Sequence, residues 1–307
     1  IRPPRRGRGA GEHCCSRNGR NIEMRIDSHH HVWDLSVREQ DWMVGDAVAP
    51  ISRTFTMEDM DPVLEQAQID YTVIVQTVAV MEETPEFLDI AQSHPKVAAV
   101  VGWLNMESDD ITPALESHLS HPAAAKLVSI RDLAQYKDDP TWLSRDDVVA
   151  NIQRLGERGL SYDLLTLPPQ LPAAIDAVRR CPDVQFVLDH ISKPYIAAGE
   201  IDEWERDMRA LAELPNVAVK ISGMVTEAKW DDWTPETFRP YVDVCADAFG
   251  PNRLMFGSDW PVSLLGGPYN EVVGIVEHLT EEWSPAEKDA IWSQTAISAY
   301  RLGELLS

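Results

Sequence analysis

MRIDSHHHVW, residues 24–33, decides how the rest of this chain is read. The run opens as a short strand and ends in three consecutive histidines, His29, His30 and His31, with Trp33 just beyond. An open doubly wound sheet usually carries a glycine-rich phosphate loop after its first strand, and none follows here. No GxGxxG, Walker A or nucleophile-elbow pattern occurs elsewhere. Side chains alternate across a strand, so His29 and His31 share one face and His30 takes the other. Two residues along a strand span about 6.7 Å, and flanking rotamers can bring both imidazoles to one ion at about 2.1 Å. An HxH pair alone is weak evidence, and a chance cluster is the plainer alternative.

Outward from this stretch, short runs rich in Val, Ile and Leu recur over 24–31, 71–79, 97–106, 126–133, 162–167, 184–191, 217–224 and 254–260. Such runs suit strands buried on both faces of a parallel sheet. Helical segments separate them. One covers 57–69 behind Thr56 as N-cap, another 84–95 with Pro85 near its start, and a third 144–159 with Ser144 as cap and Gly159 at its end. Three more, over 168–182, 201–215 and 234–251, stop at Pro182, Pro215 and Gly250-Pro251, and one or two helices follow over 269–283 and 285–302. Eight strands alternating with helices predict an α/β fold, a single (β/α)8 TIM barrel over residues 24–307. Residues 1–23, rich in Arg, Gly and Pro, read as a disordered tail or extension outside that barrel, with Met24 a natural start.

Composition narrows the function classes. The formal net charge is -23, although six arginines stand against only Glu12 and Glu23 in the first 24 residues. So acidic a surface argues against nucleic acid and against anionic membranes, both of which need Lys and Arg. No apolar run reaches the roughly 18 residues that span a bilayer. Cys14, Cys15, Cys181 and Cys245 show neither CxxC nor zinc-finger spacing, which predicts no disulfide framework and a cytoplasmic protein. The partner expected is a small molecule.

Barrel active sites assemble at the C-terminal ends of the strands. There the sixth strand ends in His190 and the eighth in Asp259, with Gly257 permitting close backbone approach. Strands one and eight are neighbours in a closed barrel, which sets Asp259 beside the HxH pair. Each group alone is usually structural; together they predict a metal-assisted site.

The segments IDSHHHVWD (26–34), VLDHISKP (187–194), VKISG (219–223) and FGSDWP (256–261) resemble the signature segments of the amidohydrolase superfamily, in its branch of sugar-lactone hydrolases. The resemblance runs from residue 24 to residue 302. It implies a (β/α)8 barrel that opens a lactone of the L-fucono- or L-rhamnono-lactone type. It also implies one divalent ion, zinc, held by His29, His31, His190 and Asp259, although some members of the branch work without metal. Asp259 then takes a proton from water and returns it to the ring oxygen, and Arg131, His190 or Lys220 stabilises the oxyanion. Two departures stand out. Asp132 occupies a position where many relatives carry His, and Lys126 sits at the wrong end of the barrel to bridge two ions.

Other residues have competing readings. Lys220 either contacts substrate or neutralises a core carboxylate, and Arg131 either binds the lactone or pairs with Asp132 or Asp27. Trp33 and Trp260 either stack on a sugar ring or pack beneath loops. Asp189 is placed to orient an imidazole, yet strand alternation from His190 turns it to the opposite face. His13, His94, His118, His121 and His278 are expected in solvent. The rival functions are a metal-dependent decarboxylase on the same scaffold, a metal-independent lactonase, and a barrel that binds metal or sugar without turnover.

Overall fold

The computed structural model describes residues 24–306; the reading of residues 1–23 lies outside them. Eight strands, β1 (Ile26–His30), β2 (Tyr71–Val75), β3 (Val97–Gly102), β4 (Leu127–Asp132), β5 (Ser161–Leu164), β6 (Phe186–Leu188), β7 (Val217–Ile221) and β8 (Leu254–Phe256), form one sheet in sequence order. All neighbours run parallel. Beyond the end of β8, a bridge between His30 and Trp260 brings the sheet back to β1. There the His31 N–H donates to the Trp260 carbonyl at 2.7 Å, and the Asp259 N–H donates to that of His29 at 2.8 Å.

The strands are shorter at their C-terminal ends than the apolar pattern predicts. β2 stops at Val75 and β6 at Leu188. Val78, Leu104, Met106, Leu165 and Ile191, which prolong the apolar runs, lie buried in loops instead. Burial pattern alone does not distinguish a buried loop from a buried strand.

Helices α1 (Met57–Ala67), α2 (Glu83–Ser93), α3 (Thr112–Leu119), α4 (Asp146–Glu157), α5 (Leu171–Arg180), α6 (Asp202–Ala212), a short α7 (Met224–Glu227), α8 (Pro235–Phe249) and α9 (Tyr269–Leu279) follow in chain order. The expected 285–302 helix divides into α10 (Pro285–Asp289), a π turn over Ala290–Gln294, and α11 (Thr295–Tyr300). Ser144 does not cap α4. It ends a 3-10 turn and its hydroxyl bonds the Ala173 carbonyl, so the cap falls to Arg145.

Two apolar layers result. Outward residues such as Ile74, Tyr162, Phe186 and Val219 pack under the helices. Inward residues Val73, Val75, Val187, Ala218 and Met255 join Ala296, Ala299 and Tyr300 of α11, which plugs the N-terminal pole. The barrel axis is therefore apolar at one end. At the other it turns polar, through Asp163, Lys220, Asp189 and His29, all fully buried. Among the described residues no helix is long and apolar enough to cross a membrane. Cys181 and Cys245 are free and buried.

Candidate active site

The polar pole is assembled from residues distant in sequence. Asp27 on β1 ties that strand to the segment after β8. Its Oδ1 accepts from the Ser258 N–H at 2.8 Å and the His29 N–H at 3.1 Å, and its Oδ2 accepts from the Tyr269 hydroxyl at 2.9 Å. Burial pushes its carboxyl up to about 6. At Gly257 a Cβ would stand 2.8 Å from the Cβ of His29. Only glycine lets the two strands approach so closely.

His190 arrives by a different route. Beyond Leu188 the ladder ends and His190, Ile191, Ser192 and Lys193 all take left-handed backbone, with φ of 54°, 47°, 59° and 49°. Each such residue costs about 1–2 kcal/mol when it carries a Cβ, so surrounding contacts must over-determine the turn. The Trp204 indole donates to the Ile191 carbonyl at 2.7 Å, and the Ser192 and Thr166 hydroxyls meet at 2.8 Å. Gly223 gives the imidazole room, since a Cβ there would lie 2.6 Å from His190 Nδ1.

This turn corrects the expected orientation of Asp189. Val187 points inward, so strand alternation sends Asp189 inward as well. His190 reaches the site because the left-handed turn breaks the alternation. Both residues therefore face the same centre.

Three imidazoles and one carboxylate converge there. His29 Nε2 lies 3.2 Å from His31 Nε2. Asp259 Oδ1 stands 3.3 Å from His31 Nε2, 3.8 Å from His29 Nε2 and 3.9 Å from His190 Nε2. Donors bound to one tetrahedral zinc at about 2.0–2.1 Å stand about 3.3–3.4 Å apart, and the set His29, His31 and Asp259 fits that spacing. The far ring nitrogens have their own partners. His31 Nδ1 is 2.8 Å from the Val75 carbonyl, His190 Nδ1 is 2.9 Å from the Ser222 hydroxyl, and His29 Nδ1 is 3.3 Å from Asp189 Oδ1. A proton on Nδ1 of His31 leaves its Nε2 lone pair facing the shared point, the arrangement in which a histidine ligates a metal. A divalent ion suits this donor set.

Electrostatics keep the imidazoles neutral. Burial drives His29 well below the ordinary value and lowers His190 to about 4. For Asp259 burial acts upward, but His190 and His31 outweigh it and hold the carboxyl below its usual range. Beneath them Lys220 Nζ reaches Asp163 Oδ2 at 2.7 Å and Asp189 Oδ1 at 2.9 Å, and Arg131 reaches Asp189 Oδ2 at 2.9 Å. Two cations thus balance two carboxylates. The Tyr300 hydroxyl also donates to Asp163, at 2.6 Å.

The cavity above this layer is lined by His31, Arg131, His190 and Asp259 together with Thr77, Gln135, Tyr136, Lys193 and Trp42. Several sequence expectations change accordingly. Lys220 is fully buried below His29, where it neutralises carboxylates and does not line the cavity. Trp33 and Trp260 are also absent from its wall. Their rings pack edge-on against Phe55 beneath the loops, and Trp42 stands at the mouth instead. Arg131 pairs with Asp189, not with Asp132 or Asp27. Asp132 turns away from the cavity toward the Trp103 indole, 3.3 Å distant, so it makes no contact at this site. His118 is buried and bonds the Trp103 carbonyl, contrary to the expectation of solvent. His94, His121 and His278 pair with Asp61, Asp89 and Glu236, and His13 lies outside the described residues. Lys126 stands before β4, at the opposite pole, bonding the Val97 carbonyl. Lys193 and Trp42 had no readable signal, because their place at the mouth depends on loop conformation.

A closed eight-stranded barrel with histidines and an aspartate at its strand ends defines a class of barrel enzymes. The family model described as "Amidohydrolase" matches residues 26–302, and the chain belongs to that family. Among curated relatives it is similar to the L-fucono-1,5-lactonase of Burkholderia multivorans, with 34% identity over 92% of this chain and 97% of the relative. The L-fucono-1,5-lactonase of Burkholderia ambifaria is 36% identical over 81% of this chain and 84% of the relative. A solved amidohydrolase from Burkholderia multivorans with bound zinc superposes with a TM-score of 0.84 at 33% identity, covering 91% of this chain and 99% of the other.

Proposed function

We propose that this chain opens a sugar-derived lactone of the L-fucono-lactone type to its aldonic acid, with Asp259 as the base and one zinc ion at the barrel mouth. The chain is a hydrolase acting on lactone ester bonds, as its resemblance to the two Burkholderia lactonases supports. The observation that carries the mechanism is the meeting of His29, His31 and Asp259 within 3.2–3.8 Å of one another.

His29 and His31 would hold the ion, with Asp259 or His190 completing the set. The chemistry such an ion supplies when bound is Lewis-acid polarisation of the ester carbonyl and a lowered pKa for water. Asp259, ionised through the neutral range, accepts the proton of the attacking water. Arg131 lines the same cavity and offers its N–H groups to the carbonyl oxygen as negative charge develops there.

The test uses L-fucono-1,5-lactone and a pH indicator. Asp259→Asn is expected to lose more than about 90% of turnover, in line with the loss of a general base, while keeping its thermal midpoint; a variant that keeps more overturns this role. In a second reading Arg131 polarises the carbonyl without an ion. It draws on the 3.4 Å approach of the Arg131 guanidinium to His29 Nε2, and full activity after exhaustive chelation would favour it.

A further inference from the structure

We infer that Lys193 is a catalytic residue of this site, donating the proton that the ring oxygen takes up as the lactone opens. The inference rests on the lactonase reading above.

Its first support is the backbone. Four consecutive residues with side chains hold left-handed φ values from His190 to Lys193. Strain of this kind collects where it places a functional group. Within the turn Ile191 and Ser192 are fully buried, whereas His190 and Lys193, one turn apart, both line the cavity. The turn is stabilised from outside by Trp204 and Thr166. It therefore delivers two side chains to the reaction, and only His190 belongs to the metal cluster.

The second support is the state of the ammonium. Among the described residues it makes no hydrogen bond, and the oxygen it pairs with, Glu227 Oε1, is 4.0 Å away. Arg131 and Lys220, the other cations of the site, are committed to Asp189 and Asp163 at 2.7–2.9 Å. Lys193 alone enters the cavity with donors available. Asp259 Oδ1, by contrast, is ringed by three imidazoles, so a separate group supplies the second proton.

The step balances. Water oxygen bonds to the carbonyl carbon and its proton goes to Asp259. The bond from that carbon to the ring oxygen then breaks, and its electron pair stays on the oxygen. The Lys193 ammonium gives that oxygen a proton and becomes an amine. An alkoxide is far more basic than an amine, so the transfer runs downhill. The proton on Asp259 returns to the amine through solvent, and the new carboxylic acid releases its own. One lactone and one water yield one aldonate and one proton.

Lys193→Met and Lys193→Arg separate the possibilities, with kcat and KM measured on L-fucono-1,5-lactone and zinc affinity measured alongside. Arginine keeps the charge and the hydrogen bonds but does not give up a proton in a protein. The expected result is a fall in kcat of about 100-fold in both variants, with KM near wild type for Lys193→Arg and zinc affinity unchanged in each. Recovery of kcat by Lys193→Arg would reduce Lys193 to a fixed charge and overturn the proton transfer. A Lys193→Met enzyme within fivefold of wild type would overturn any catalytic part for this residue. Wild-type protein inactive on every sugar lactone would instead sink the lactonase reading itself.

Discussion

Asp189 Oδ1 lies 2.9 Å from Lys220 Nζ, both groups fully buried on the barrel axis directly beneath His29. Burial works against ionisation of Asp189, but Lys220, His29 and Arg131 together hold its carboxyl well below the usual range. The metal-ligand layer thus rests on a sealed, charge-balanced floor.

Removing one member of that floor strands the others. Lys220→Met leaves Asp163 and Asp189 without their shared cation, and breaking a buried pair in this way costs about 3–5 kcal/mol. Denaturant unfolding should show that loss, and the double variant Lys220→Met/Asp163→Asn should recover part of it. Equal stability of the single variant and wild type would contradict the balance of charges described here.

Asp189 also faces His29 Nδ1, at 3.3 Å. Partners of this kind orient a ligating imidazole, and their loss typically lowers metal affinity about 10–100-fold. Asp189→Asn, titrated against a competing zinc chelator, should show a weakening in that range. Unchanged affinity would mean that the carboxylate serves only Lys220 and Arg131.

The pH profile follows from two groups with the same sign. His190 and His31 overcome burial to hold Asp259 below the ordinary carboxylate range, so the base is ionised at neutral pH and lost only as pH falls through that lowered value. Burial places His190 at about 4, so its lone pair too is lost only in acid. Accordingly kcat/KM should stay level from pH 6 to pH 8 and decline below about pH 5. An acid limb centred near 6.5, the ordinary histidine value, would show that the imidazoles are not neutral as described.

Gly223 and Gly199 make a matched pair, with φ of 65° and 69°. Alanine at either strains the backbone by about 1 kcal/mol. At Gly223 the new Cβ also meets His190 Nδ1 at 2.6 Å, whereas at Gly199 nothing lies within 4 Å. Displacing a reacting group by about 1 Å can cost 100-fold in rate. Gly223→Ala should therefore lose activity by at least tenfold, with Gly199→Ala inside twofold of wild type, in assays at equal folded fraction.

Sequence alone determined the order and parallel sense of the strands, because apolar runs and helix caps are local signals. It also determined that His29, His31 and Asp259 share a neighbourhood, since barrel closure brings the ends of β1 and β8 together. Tertiary structure decided the rest. Period-two alternation holds only while a strand keeps its ladder, and β6 loses its ladder at Leu188. Past that point the direction of Asp189, His190 and Lys193 depends on Trp204, Thr166 and Gly223, contacts 10 to 30 or so residues away along the chain. The same holds for Lys220, whose partners come from β5 and the end of β6. Trp33 and Trp42 exchanged their expected places because which indole reaches the mouth is settled by loop packing against Phe55, not by distance from a histidine.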